Sequence, residues 1–195
     1  MVDHAGNTLV GAGTVSEFAH RSAAKAALAA MASGQSLVSH AYHAGSGEHR
    51  HIDIDIAAPV VDGERTPAPI VGALVFHLDP REHLDPLMQR WPGTSDSGET
   101  FLFERAGKEI VYLSSLKHAR AEELRKSIDE TTLPAAHAAH GIEGLVEGID
   151  YRGAPVLAAV GQVPGMPWFL VAKLDREEIL APVRREMIWS GSLSA

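Results

Sequence analysis

Eleven histidines and one acid-rich segment are the most chemically suggestive features of this 195-residue chain. His49, His51, Asp53 and Asp55 lie close together. On an extended strand His51, Asp53 and Asp55 share a face, because side chains alternate with period two, and imidazole with carboxylate is a donor set that zinc accepts. Same-face neighbours stand ~7 Å apart, too far to close a tetrahedron without ligands from elsewhere. The adopted reading is therefore a solvated polar face opposite a core face of Ile52, Ile54 and Ile56. His137 and His140 fall three apart in a helical stretch, a spacing that shares a helix face, but no base of the HExxH kind accompanies them. No metal site and no cofactor is expected. The chain carries no Gly-x-Ser-x-Gly elbow, P-loop or dinucleotide fingerprint after a strand. Ser114 and Ser115 would need a fold-assembled triad to act as nucleophiles. Glu122-Glu123 and Glu177-Glu178 read as helix surfaces and caps. No catalytic residue is assigned, and the chain is read as a non-enzyme.

Around these residues the composition is that of an ordinary globular protein, 45% hydrophobic and 22% charged. A net charge of −8 repels phosphate backbones, which disfavours nucleic-acid binding. With no cysteine there is no disulfide framework and no thiolate metal site. No apolar run reaches the ~18 residues of a spanning helix, and no signal peptide opens the chain, so it reads as a soluble piece.

The elements that must position the polar residues follow from periodicity and punctuation. Ser16 to Ser33 is Ala-rich and reads as a helix closed by Gly34. Leu37 to Tyr42 reads as a strand, Gly45 to Gly47 as a turn, and His51 to Ile56 as a strictly alternating strand. Ile70 to Leu78 reads as a buried strand. A helix follows, with Asp79 as N-cap, Pro80 at the first position and Glu82 completing a capping box. Pro92 to Gly98 reads as a linker. Strands are then expected at Thr100 to Glu104 and Ile110 to Ser114, followed by polar helical segments broken at Pro134. Three more strands are expected at Leu145 to Ile149, Pro155 to Val163 and Trp168 to Leu174, with a last helix from Asp175.

The order repeats, and so do the letters. Leu74-Val75 and Leu170-Val171 match at an offset of 96 (170 − 74), and at that offset both copies read Leu-Asp-x-x-Glu-x-x-Leu-x-Pro, from Leu78 and from Leu174. Ala5-Gly6-x-x-Leu9-Val10 echoes Ala106-Gly107-x-x-Ile110-Val111. Two ordered matches argue for two copies of one unit. Each is expected to be α+β, a five-stranded antiparallel sheet with flanking helices, with a small-molecule pocket between sheet and helices.

Ser97-Gly98-Glu99-Thr100, Tyr112 to Leu116, Asp150-Tyr151-Arg152-Gly153-x-Pro155 to Ala159, and Trp168 to Asp175 followed by Glu177-Glu178 resemble the successive strands and exit helix of the second module of double Cache domains. Gly72 to Pro80 resembles the close of the first. The resemblance implies two tandem PAS-like modules, 1–91 membrane-distal and 92–189 membrane-proximal. It implies the extracytoplasmic, periplasmic sensor domain of a bacterial transmembrane receptor, of the histidine kinase (two-component) or diguanylate cyclase type. Such domains open on a long helix that often mediates homodimerisation. Here the chain opens near a strand, so that helix is read as missing and the chain as a fragment. Glu177 to Trp189 is read as the exit helix, and Ile188 to Gly191 as the opening of a membrane span of the anchored parent.

By the same resemblance, a small-molecule ligand lies against the sheet. In the first module Ser39, Tyr42, Asp53 and His77 are the polar strand residues placed to face it. In the second they are Tyr112, Ser114, Tyr151 and Lys173. Lys173, a cation on a buried strand, suits a carboxylate ligand. The arginine, tryptophan and aspartate set of amino-acid-sensing relatives is not recognisable. The alternatives are a cytosolic PAS-like association module and, further off, a small hydrolase using its histidines.

Overall fold

The computed structural model describes residues 1–11, 17–44, 51–120 and 126–181. The chain divides into two compact units, 1–82 and 83–195.

The first unit is built on α1 (Glu17–Ser33) and four antiparallel strands, β1 (Leu37–Val38), β2 (Tyr42–Ala44), β3 (His51–Val61) and β4 (Ile70–Leu78). Alanine side chains let α1 lie close on the sheet, with Ala26 and Ala30 packed on Ala57. The helix ends where Gly34 turns left-handed (φ +67), a conformation glycine adopts without strain. β3 is central, pairing β4 along one edge and β1 and β2 along the other. The strand expected over 37–42 is interrupted. Val38 faces Ile56 but Tyr42 faces Asp53, so one extra residue is accommodated between the two pairings, as in a β-bulge. Ser39 holds the interruption closed. Its N–H donates to Asp55 O (2.8 Å) and its hydroxyl accepts from Asp55 N–H (2.9 Å). The turn expected at Gly45–Gly47 lies outside the described residues. At the opposite edge of β4, Val2 bridges Ala73.

The solvated face expected for β3 is overturned. Asp53 and Asp55 are 2% and 0% exposed, yet Ile52 and Ile54 are buried as well. Ala57 shares the aspartates' face and packs on α1, so the helix covers the side of β3 that carries the carboxylates. Both faces of this strand are inside.

α2 (Pro80–Met88) begins as expected, with the Asp79 carboxylate accepting from Arg81 N–H (2.9 Å). The segment 92–98 is not a free linker. Ser97 and Gly98 are buried, and the Trp91 ring lies on Gly98 so closely that a β-carbon there would stand 2.6 Å from it.

The second unit has six antiparallel strands rather than five. They are β5 (Glu99–Ala106), β6 (Glu109–Tyr112), β7 (Lys126–Ser127), β8 (Gly144–Ile149), β9 (Pro155–Gln162) and β10 (Trp168–Asp175), in the order β7-β6-β5-β10-β9-β8. The added strand is a two-residue edge too short to show as a sequence period. The first unit falls below five even though its bulged edge counts as two short strands, because its N-terminal segment contributes only a bridge. α3 (Pro134–Ala139) starts at Pro134 rather than being broken by it, since a helix tolerates proline in its first turn. Four buried alanines of α3 pack on Phe101, Phe103, Ile110, Tyr112, Val160 and Val171 of the sheet. Gly148 permits the close approach, because a β-carbon there would stand 2.4 Å from Thr132 O. A closing helix follows β10, helical over its described residues 176–181. The rest of the expected exit helix lies outside the described residues.

Candidate functional site

In the first unit, strand register assembles a polar cluster. Tyr42 sits opposite Asp53 on the β2–β3 ladder and His77 opposite Asp55 on the β3–β4 ladder. His77 Nε2 lies 2.8 Å from Asp53 Oδ2, and His77 Nδ1 lies 2.9 Å from Asp55 Oδ1. The Tyr42 hydroxyl donates to Asp55 Oδ1 (3.1 Å) and stands 2.7 Å from His77 Nδ1. His51 Nε2 reaches Asp53 Oδ2 at 3.3 Å. Only a ring protonated on both nitrogens donates to both carboxylates at once. A singly protonated ring with Nδ1 as acceptor takes the Tyr42 hydroxyl instead. Burial raises the Asp53 carboxyl above its ordinary range against the pull of His77 and His51. Burial, reinforced by the Asp55 charge, pushes the Tyr42 phenol up, while the Ser22 hydroxyl on α1 bonds to it. Asp55 Oδ2 is buried without a partner among the described residues.

Through His77 this cluster borders a cleft of about 800 Å³, also lined by His20 and Ala23 of α1, Leu74 and Phe76 of β4, and Val10. The His77 side chain is 31% exposed, so it stands between the buried aspartates and the open space. Of the four first-unit candidates, His77 contacts both Tyr42 and Asp53, and Ser39 touches the group through the Asp55 backbone. Asp55, expected on a solvated polar face rather than among the ligand-facing residues, joins the group.

The second-unit candidates are all inside the core. Tyr112 is 1%, Ser114 0%, Tyr151 9% and Lys173 1% exposed. Ser114 Oγ accepts from Leu102 N–H (2.9 Å). The Tyr112 hydroxyl has no partner among the described residues, and burial pushes it up. The Lys173 ammonium is shared by Glu99 Oε2 (2.8 Å) and Asp150 Oδ2 (2.7 Å), and it lies 5.1 Å from the centre of the Tyr151 ring. The Tyr151 hydroxyl donates to both Glu99 oxygens (2.8 Å each). Arg152 Nε donates to Asp150 (2.7 Å), and the other end of its guanidinium pairs with Asp175 at the root of the closing helix. Burial alone would raise the Asp150 carboxyl, but hydrogen bonds from Lys173 and Arg152 hold it below its ordinary value.

The root of the closing helix is tied a second time. The Ser97 hydroxyl donates to Glu178, whose carboxylate also accepts from Ser97 N–H (2.9 Å), and Ser97 Oγ accepts from Asp175 N–H (3.0 Å). These bonds, with one from the Ser95 hydroxyl, lower the Glu178 carboxyl to about 2. Beside this tie a cleft of about 320 Å³ is lined by Met88, Trp91, Ser95, Glu99, Leu116 and Lys117. Sequence reading missed Ser97, Glu99, Asp150 and Arg152 as a connected set, since they come from two segments, 97–99 and 150–152, far apart along the chain.

Among the described residues no group of His, Asp and Glu is arranged to hold a metal ion, and no helix is long and apolar enough to cross a membrane.

No protein-family model matches the sequence, and no curated protein matches it. Solved structures do. The chain is similar to the extracellular domain of mmHK1S-Z3, assigned as a histidine kinase, with a TM-score of 0.56 and 18% identity over 83% of this chain. It is similar to the ligand-binding domain of the Pseudomonas fluorescens chemoreceptor CtaA, solved with L-leucine (TM-score 0.55, 19% identity, 90% of this chain). A third match is the ligand-binding domain of the Pseudomonas aeruginosa amino-acid chemoreceptor PctB, solved with L-Arg (TM-score 0.53, 19% identity, 80% of this chain). The chain spans 56%, 69% and 60% of those three chains respectively. Its α+β, PAS-like fold is thus shared with the extracellular domain of a histidine kinase and with the ligand-binding domains of chemoreceptors.

Proposed function

We propose that this chain is the extracytoplasmic ligand-sensing portion of a bacterial transmembrane receptor, the parent being a histidine kinase, diguanylate cyclase or chemoreceptor. In this reading residues 1–91 form the membrane-distal module and 92–189 the membrane-proximal one, with no catalytic role in the fragment. The observation that carries the reading is the Tyr42–Asp53–Asp55–His77 cluster at the mouth of an open cleft, in a fold shared with ligand-binding domains. Buried hydrogen-bonding groups beside a concave, largely apolar space are what a small-molecule site requires.

The ligand favoured is a small molecule bearing an ammonium group. Among the described residues both buried charges of the first unit are carboxylates, and a cationic ligand takes up that charge. A carboxylate ligand on Lys173 is not favoured, because its ammonium already serves two carboxylates. Sensing then works by differential affinity: a ligand that binds one arrangement of sheet and helix better than another shifts the population, and the closing helix carries the bias onward.

Thermal-shift screening of the chain against amines, amino acids, carboxylates and divalent metals tests this, since a ligand selective for the folded state raises the melting temperature. Amine-bearing compounds are expected to stabilise the wild type and to lose their effect in Asp55→Asn. A screen in which none stabilises it overturns the ligand reading. A parent gene without flanking spanning segments overturns the membrane-receptor reading.

A further inference from the structure

The basic members of the two polar clusters occupy equivalent places. At the repeat offset of 96 (173 − 77), His77 corresponds to Lys173. In each unit a basic side chain on the last strand stands between two carboxylates and next to a tyrosine: Asp53, Asp55 and Tyr42 in the first, Glu99, Asp150 and Tyr151 in the second. They differ in access. His77 borders an open cleft, whereas Lys173 is 1% exposed.

The walls around the Lys173 head are held by partners other than Lys173. Glu99 accepts from Lys117 N–H (2.7 Å) and from the Tyr151 hydroxyl. Asp150 accepts from Arg152 N–H (2.8 Å), Ala154 N–H (3.1 Å) and Arg152 Nε. Tyr151 is fixed by its two bonds to Glu99 and by edge contacts with Phe101 and Tyr112. Two carboxylates and an aromatic face, each fixed independently of the cation, make a preorganised ammonium receptor.

We propose that the second unit is self-liganded: the Lys173 ammonium fills a built site for a primary alkylammonium, and shortening that side chain opens the site to free amines. The second cup is then closed to external ligands and serves as a fixed connection, through Asp150 and Arg152, from the core to Asp175 at the root of the closing helix. This inference stands on the second unit alone and does not depend on what the first unit binds.

The test is chemical rescue of Lys173→Ala with n-propylammonium, which replaces the atoms removed. All three tryptophans lie in the second unit, so tryptophan fluorescence follows its unfolding. At ~100 mM probe, a site of millimolar affinity raises the folded-to-unfolded ratio about 10- to 100-fold. Tetramethylammonium, which has no N–H donors, and n-propanol, which has no charge, should not raise it, and wild type should not respond to n-propylammonium. If Lys173→Ala does not fold alone, the ratio is read as recovery on refolding with the probe present. Because the chain has no cysteine, Lys173→Cys can be aminoethylated in the unfolded state to restore a tethered ammonium, with the carbamidomethylated form as neutral control. Recovery with n-propylammonium supports the proposal. An inert probe alongside rescue by aminoethylation overturns it, leaving Lys173 as a structural tie only. An equal response in wild type, or to n-propanol, overturns it as well.

Discussion

Replacing His77 by alanine should destabilise the first unit by about 3 kcal/mol near pH 7 and make that loss depend on pH. His77 is the shared partner of two buried carboxylates, at 2.8 Å from Asp53 and 2.9 Å from Asp55. Removing one member of a buried charge pair typically costs about 3–5 kcal/mol, because the other charge is left in a poor dielectric. The low end applies, since the ring is 31% exposed and water can replace part of it. Asp55 keeps the Tyr42 hydroxyl and Asp53 keeps His51. Burial already sets the Asp53 carboxyl above its ordinary range while His77 pulls it down, so losing His77 raises it further. A carboxyl raised in the folded state takes up protons on folding. Its contribution is fully present below the unfolded value and is lost as pH rises through the folded one. His77→Ala should therefore regain stability relative to wild type as pH is lowered from 7 toward the ordinary carboxylate value. Asp53→Asn combined with His77→Ala should recover part of the loss at pH 7, as interacting residues are not additive. Urea titration followed by hydrogen exchange of the β3 and β4 amides isolates this unit, and 3 kcal/mol lowers its midpoint by roughly 1–3 M. A loss under about 1 kcal/mol at pH 7, or one unchanged by pH, would refute the shared-partner account.

Gly148→Ala places a β-carbon 2.4 Å from Thr132 O, so α3 must lift from the sheet; a loss of about 1–3 kcal/mol is expected in chemical denaturation of the second unit. In Gly98→Ala the new methyl meets the Trp91 ring at 2.6 Å, and the tryptophan emission should shift as the ring leaves its seat. Glu178, held at about 2, contributes stability that is present above the ordinary carboxylate value and lost as pH falls toward 2. Amides of residues 176–181 should lose exchange protection over that acid range in wild type, and Glu178→Gln should weaken protection at pH 6 and flatten the acid response.

Most of the strands, the helix over 17–33, and β4 with its Asp79-capped successor were legible without coordinates. Those features are written locally, in periodicity and cap residues. The eight polar candidates were taken from the resemblance as strand residues, but Ser39, Ser114 and Tyr151 lie beside strands rather than on them, and which candidates meet was not legible. The alternation of His51 to Ile56 identified a strand, but polar letters were read as a wet face. Only packing shows α1 lying on the carboxylate side, where Ala26 and Ala30 leave room for Ala57 and its neighbours. Likewise Lys173 is visible as a cation on a strand. That Glu99, 74 positions earlier (173 − 99), and Asp150 close on it depends on β5 and β10 becoming neighbours. Sequence by itself determined most of the elements, because hydrogen-bond periodicity and capping act over a few residues. Tertiary structure alone decided which charges are buried, paired or open to a ligand, because burial and pairing depend on segments that meet only when the sheet closes.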